Sequence, residues 1–573
     1  MVLSLAASAA LFWFLRATTH FLGDGGLVVR FVAILEGPQD IPVGFKNEPL
    51  VGYLYWQGVQ LSKLLGWPLD ALAIVRVVSI VSGVIALGSA VKLKDALFQD
   101  PVEGALFLLL LAGFGGVVMF FGYFENYALL LALLLLVVLA MVRSLEGPTH
   151  PAVAGVLVGV MLTVHMGTIV LLPAFLLWIV WLDRGVHSRT ARVIGGVAPF
   201  LVVPVILALC GVTWEMFVNE YLLRKEGHLL ALDGVENGWQ SYTLVSFSHA
   251  LDLLNLCVLL SPFAPILGII ALLRRNPLSR TERLLLVAAA GGLVFVLLVT
   301  PNLGMSRDWD LLAGFCLPAV VAVGTVSLRD ERSKDPSVRA LLFLALLVGL
   351  IHAGTWVGVN ADEGSAVRRF ISLRESPLWS PKARALADEE LLAYYRNKHD
   401  YAPALAFGLE AAQLDPANNR VWTHLALLYG ATGDRTHEIE AYERAIDLGS
   451  REAEVYYNLG AIYGRSPQTV GRALRLTRDA IALDSTNADG YNNYGSLLLA
   501  QYGAAAYGEA LEYFRRAVVL NPSSPESHYN AGMCAYETGD YRGAGESFKR
   551  YVALSNDAAH AAAIRKEYPL AVW

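Results

Sequence analysis

The chain has 573 residues, too many for one ordinary domain. Only 16% of them are charged, where a soluble domain carries about a quarter, and mean hydropathy is +0.49. A net charge of −6 gives no reason to expect nucleic acid, and Cys210, Cys257, Cys316 and Cys534 stand too far apart for a zinc spacing or a disulfide framework. The shortage of charge is local. To about residue 360 the sequence is dominated by Leu, Val, Ala, Gly and Phe; beyond it polar residues return. Two blocks are expected, 1–360 and 385–573, joined by a linker at 361–384 that Pro377 and Pro381 stiffen.

A helix that crosses a bilayer takes roughly 20 apolar residues. Runs of that kind begin near Leu3, Leu72, Glu103, Tyr123, Ala152, Gly167, Ala191, Leu251, Leu284, Leu311 and Val338, which predicts an all-α membrane bundle of about eleven spans. The first run lacks a basic region and a small-residue cleavage site, so it reads as a retained helix. The pairs that meet at Gly122–Asn126 and near His165 are tight, and each reads either as two spans or as a broken or re-entrant pair. Lys and Arg sort the loops. One set carries Lys92, Lys94, Arg143, Arg184, Arg189, Arg192, Arg274, Arg275, Arg280, Arg283, Arg329, Arg332, Lys334 and Arg339. The other set carries fewer: Arg30, Lys46, Lys63, Arg224, Lys225 and Arg307. The basic set is expected in the cytoplasm. The N-terminus is then cytoplasmic, and an odd span count puts the C-terminal block outside.

From about Ala385 a helical unit recurs. Its closing Leu residues, Leu414, Leu448, Leu483, Leu520 and Leu554, are 34 to 37 apart, the tetratricopeptide period. Small residues fall where paired helices touch, at Ala426, Gly460, Gly495 and Gly532, and Gly433-Asp434 and Gly539-Asp540 join helices within units. About five units are expected, stacked as a solenoid because no unit buries its own apolar face. Tyr395, His424, Asn458, Asn493 and Asn530 fall on first helices. They are candidates to hold an extended peptide, or else to bridge neighbouring helices.

Several polar residues of the first block fall on the expected external side. They are Asp24, Lys46, Glu48, Glu125, His165 and the run Arg307-Asp308-Trp309-Asp310; Arg16 lies near the outer end of the first span. Ionisable groups at membrane depth are costly and usually functional. Asp24 is equally suited to capping the helix that begins near Leu27.

With Asp24 opening the first external loop, Glu48-Pro49-Leu50 through Leu65-Gly66 as an amphipathic helix, and Arg76-Val77-Val78-Ser79 opening the next span, residues 1–360 resemble the GT-C class of membrane glycosyltransferases. That class includes the protein O-mannosyltransferases, and some of these also carry tetratricopeptide repeats. The resemblance implies transfer of a sugar from a polyprenyl-phosphate donor to an acceptor, here a protein hydroxyl, on the external face of a membrane, most simply the bacterial inner membrane. It implies Asp24 as general base with Glu125 as the second catalytic acid. Arg307, with Lys46 or Arg16 as substitutes, would meet the donor phosphate, and Glu48, His165, Asp308 and Asp310 would orient substrate. Many relatives have two adjacent acids where this chain has Asp24-Gly25-Gly26. No metal ligand set is therefore assigned, and a divalent metal is left open. The implied partners are the lipid-linked sugar, membrane lipid and an acceptor peptide or protein held by the repeats. The alternative is a non-catalytic membrane-anchored scaffold or accessory subunit.

Overall fold

Polar caps cut the apolar runs into helices. Asp70 accepts from the Ala73 N–H at 2.7 Å and starts Ala71–Leu97. Asp100 does the same for Pro101–Ala112, a Ser279/Glu282 capping box for Arg280–Leu298, and Asp335 for Pro336–Ala361. The computed structural model describes residues 2–18, 25–35, 37–41, 45–123, 126–219, 243–274, 276–299, 309–375, 379, 381–555 and 558–572. Among these there are helices and no strand. The chain divides into two compact units, residues 1–383 and 384–573.

In the first unit, six of the eleven apolar runs form single helices long and apolar enough to cross a membrane. They are Ala71–Leu97, Tyr127–Leu145, Arg189–Leu209, Arg280–Leu298, Trp309–Leu328 and Pro336–Ala361. A seventh run is a pair, Phe247–Leu260 and Ala264–Leu272, bent by 100°. The other four are shorter: Val2–Phe14, Pro101–Ala112, Pro151–Val164 and the irregular run Met166–Leu182. At 1.5 Å per residue, fourteen residues reach about 21 Å against a hydrocarbon core of about 30 Å. Among the described residues, six helices, or seven spans with the bent pair, are thus long and apolar enough to cross a membrane, where the sequence led to an expectation of about eleven spans. Apolar composition carries through breaks such as His165, whose backbone is extended (φ −155°, ψ 116°), and the helix stops there. The segment expected as linker holds a further helix, Glu363–Arg374, which buries Phe370 and packs it against the Trp379 ring, 6.1 Å between centroids.

Much of the outward surface of this unit is apolar, including Phe200, Leu201, Val205, Leu344 and Ile351. A surface of that kind suits hydrocarbon rather than water. Helices approach closely where they meet. A Cβ on Gly155 would strike the Gly195 carbonyl, and one on Gly292 would strike the Phe315 carbonyl.

Hydrogen bonds sort the helix ends into two faces. At one, Arg339 donates to Asp100 at 3.1 Å, Arg329 to the Leu97 carbonyl at 2.9 Å and Arg274 to the Val326 carbonyl at 3.2 Å. At the other, the Ala17 N–H donates to the Phe121 carbonyl, the Thr18 N–H to the Asn360 carbonyl and the Met166 N–H to the Asn47 carbonyl. The first is the basic end. Pro336–Ala361 starts there and finishes at the opposite end.

The second unit contains helix pairs with the expected period. They are Pro381–Asn397 with Tyr401–Leu414, Asn419–Thr432 with Arg435–Asp447, Ala453–Tyr463 with Val470–Leu483, Ala488–Tyr502 with Tyr507–Leu520, and Pro525–Glu537 with Tyr541–Ser555. Ala558–Glu567 follows, and the Val572 N–H bonds back to the Tyr541 carbonyl at 2.9 Å. Small residues let the paired helices touch: a Cβ on Gly495 would lie 2.8 Å from the Phe514 ring, whereas Gly508 faces open space. Alanine at either position gains about 1 kcal/mol of helix propensity. Gly508→Ala should keep that gain, and Gly495→Ala should lose about 1–3 kcal/mol net by overpacking. Urea unfolding of residues 384–573 checks this, and equal effects at the two sites would contradict the packing described.

Candidate functional site

Asp24, Glu125, Arg307 and Asp308 lie outside the described residues. The remaining candidates of the first unit fall at the end opposite the basic one, and the structure joins two of them directly. Glu48 is the N-cap of Pro49–Leu64, yet its side chain makes no cap bond. Its carboxylate instead lies 3.3 Å from His165 Nε2, with both side chains nearly fully buried.

The helix break puts His165 there. Its Nδ1 accepts from the Gly167 N–H at 3.1 Å, so the ring proton belongs on Nε2, directed at Glu48. The Met166 N–H bond to the Asn47 carbonyl at 3.0 Å draws the same two segments together. Tyr127, Phe315 and Phe295 surround the imidazole, with ring centroids at 5.8, 5.5 and 6.4 Å. A carboxylate and an imidazole shielded this way interact far more strongly than in water. Half-buried Lys46 stands two residues from Glu48.

Asp310 is buried in the first turn of Trp309–Leu328 and accepts from the Leu311 N–H at 2.9 Å. Its neighbour Trp309 begins an aromatic cluster. Trp309 packs on Tyr123 with centroids 5.4 Å apart and on Trp356 at 4.4 Å, and the Arg369 guanidinium lies over Trp356 at 5.1 Å. Burial pulls the Arg369 pKa below the ordinary guanidinium value, while the Tyr123 hydroxyl works in the other direction. Arg16 donates to the Trp13 carbonyl at 3.0 Å and Arg76 to the Ala17 carbonyl at 3.0 Å. Both pass Gly122, whose positive φ of 64° favours glycine and whose added Cβ would lie 3.1 Å from Arg16 Cβ.

Arg16 and Arg369 have no carboxylate partner among the described residues. In the same region Asn126 Oδ1, Trp309 Nε1 and Trp356 Nε1 are buried with no hydrogen-bond partner there. Buried polar atoms of this kind call for water or a ligand. Among the described residues no group of three His, Cys, Asp or Glu is placed to hold a metal ion. The end therefore offers cations, aromatic faces, unused donors and one polarised acid–base pair. Arg76, Asn126, Trp356 and Arg369 were not candidates from the sequence. An Arg inside an apolar run was the available signal for Arg76, and expecting a linker at 361–384 hid Arg369.

In the second unit the five candidates all stand on first helices, but three are engaged. Arg396 donates to His424 Nδ1 at 2.9 Å, Asn458 to the Tyr442 hydroxyl at 3.1 Å, and Asn530 to Asn492 Oδ1 at 3.0 Å. Tyr395 stacks on Phe407, and Asn493 is exposed. The Arg396–His424 and Asn492–Asn530 bonds run between first helices of successive pairs, so they lie on the face those helices share.

The tetratricopeptide repeat family model matches residues 420–448, the second helix pair. Solved structures similar to this chain include YrrB, described as a TPR protein with an unusual peptide-binding site. It is 18% identical, over 35% of this chain and 97% of that one, with a TM-score of 0.30. MamA from Desulfovibrio magneticus RS-1 is 19% identical over 30% of this chain and 97% of its own, with a TM-score of 0.27. PilF of Pseudomonas aeruginosa is 20% identical over 32% and 92%, with a TM-score of 0.26. The family match shows that the chain carries a tetratricopeptide repeat, after several helices long and apolar enough to cross a membrane.

The Glu48–His165 pair makes a testable demand. His165→Ala takes one donor from a buried carboxylate and should cost about 2 kcal/mol, whereas Glu48→Gln keeps an acceptor and should cost about 1. The double variant should lose less than the sum. Thermal unfolding of the four purified proteins reads this, and strict additivity would mean that the two side chains do not interact.

Proposed function

We propose that the chain is a membrane glycosyltransferase that moves a sugar from a polyprenyl-phosphate donor to a hydroxyl of a protein acceptor docked by its repeats. The observation that carries this reading is the gathering, at one end of the bundle, of the Glu48–His165 pair, the cations Arg16 and Arg369, and polar atoms of Asn126, Trp309 and Trp356 that are buried without a hydrogen-bond partner among the described residues. In the reaction Asp24 takes the proton of the acceptor hydroxyl. The oxygen attacks the anomeric carbon, and the bond from that carbon to the phosphate oxygen breaks, releasing polyprenyl phosphate. A cation, Arg307 with Lys46 or Arg16 as substitutes, offsets the charge that grows on the phosphate. Glu125 serves with Asp24, while Glu48, His165 and Asp310 orient the reactants.

The repeat match supports a second reading, a membrane-anchored scaffold that recruits a peptide or protein without chemistry of its own. The two separate on turnover. Purified protein given a panel of polyprenyl-phosphate sugars should transfer one of them, and Asp24→Asn should lower the rate by about 10²-fold with folding intact. No transfer from any donor by the unaltered protein favours the scaffold; unchanged turnover in the variant removes Asp24 from the mechanism.

In this reading the membrane is the bacterial inner membrane, with the basic end in the cytoplasm and the repeats outside. Support comes from the Lys and Arg bias and from the course of Pro336–Ala361, which runs from the basic end to the opposite one before the chain continues to the repeats. Protease added to intact spheroplasts should remove the residues beyond about 384. Protection until lysis would reverse the orientation.

A further inference from the structure

The basic end holds a cavity of about 560 Å³ framed by Arg274, Ser279, Glu282, Arg283 and Arg329. Its one acid is spent: Glu282 accepts from Arg274 Nη1 at 2.7 Å through one oxygen and from the Ser279 N–H at 2.8 Å through the other. The other two arginines use backbone carbonyls instead. Arg283 Nε donates to Leu278 at 3.1 Å and Arg329 Nε to Leu97 at 2.9 Å, and neither guanidinium has a carboxylate partner among the described residues. Glu103 and Glu146 feel the charge of Arg329 without pairing with it. Each guanidinium is thus held by its Nε, which leaves its outer donors for an anion.

The two residues before Arg274, Leu272 and Leu273, are apolar and exposed. The three helices that carry the cavity, Ala264–Leu272, Arg280–Leu298 and Trp309–Leu328, also frame a second cavity of about 440 Å³. Leu256, Leu260, Leu267, Val296, Val320 and Val323 line it, with almost no polar surface. From Val323 to Arg329 the helix and its first turn beyond rise only about 9 Å, a few methylene groups of reach. A phosphate site and an apolar slot at that spacing match a lipid that carries both.

We propose that this end binds an anionic phospholipid, its phosphate held by Arg283 and Arg329 and one acyl chain in the apolar cavity. The site stands at the opposite end from the cluster of Glu48 and His165 and does not depend on the chain being an enzyme. A basic pocket between membrane helices is the kind of surface that selects anionic headgroups.

The test uses the full-length protein, stripped of lipid in detergent and titrated with phosphatidylglycerol or phosphatidylcholine while adducts are counted by native mass spectrometry. Phosphatidylglycerol should bind at least about tenfold more tightly, and Arg283→Gln/Arg329→Gln should remove most of that preference. Lys92→Gln/Arg189→Gln takes the same charge from exposed positions at the same end but outside the cavity, and should change binding by less than about threefold. Equal losses in the two double variants would mean diffuse attraction and would overturn the proposal. So would full displacement of the lipid by millimolar inorganic phosphate, the mark of a free-anion site. The single variant Arg283→Gln changes an exposed side chain and keeps the test decisive should the double variant fail to fold: it should weaken binding several-fold, and unaltered affinity would overturn the assignment.

Discussion

Hydrocarbon offers nothing to a polar group, so an apolar bundle must either pair its polar side chains inside or send them to its two ends. The first unit does both, and the division organises everything else about it. Some buried polar groups within the helices bond locally, as Ser82 does to the Val78 carbonyl and Thr325 to the Val321 carbonyl, and others reach a neighbouring segment, as Ser327 does to the Leu267 carbonyl. Most of the charged groups are driven to the ends. One end becomes a mesh of arginine bonds to helix C-termini and capping carboxylates. The other becomes a mixture of cations, aromatic rings and a carboxylate–imidazole pair.

The two ends use their polar groups differently. At the basic end two acids do double duty: Asp100 caps one helix and meets Arg339, and Glu282 closes a capping box and meets Arg274. At the opposite end the bookkeeping stays open, with Asn126 Oδ1 and the indole nitrogens of Trp309 and Trp356 buried and unused among the described residues. Unspent donors beside Arg369 cost stability unless something fills the space, and that is the usual mark of a surface kept for a ligand.

The repeats were readable because their information is one-dimensional. A Leu every 34 to 37 residues and a small residue where paired helices touch, as with Gly495 against Phe514 and Gly532 against Phe548, specify helix pairs without any long-range contact. The bundle was less legible. Hydropathy reports where a segment is apolar but not where its backbone breaks, so the pair Pro151–Val164 and Met166–Leu182 could be read either as two spans or as a broken pair, and the fold shows two shorter helical runs. His165 and Glu48 stood out singly, as ionisable residues in apolar company. Their pairing is a tertiary fact that neither neighbourhood encodes. Arg369 was invisible as a site residue because its helix, Glu363–Arg374, has the composition of an ordinary polar linker, and only the fold lays it over Trp356. On the repeats, Asn458 and Asn530 could be read either as amides for a peptide or as bridges between helices, and the fold gives each a neighbouring side chain to bond.

The central claim is that a lipid-linked phosphate enters the end where Glu48 and His165 meet. Photo-crosslinking tests it most directly: a polyprenyl phosphate with a diazirine beside the phosphate is irradiated with the full-length protein, and the labelled peptides are mapped. Labels should concentrate on the segments around Arg16, Tyr123 to Tyr127 and Trp356 to Arg369, and unlabelled polyprenyl phosphate should compete them away. Labels spread evenly over the outward apolar helices, or concentrated at the basic end, would contradict the account.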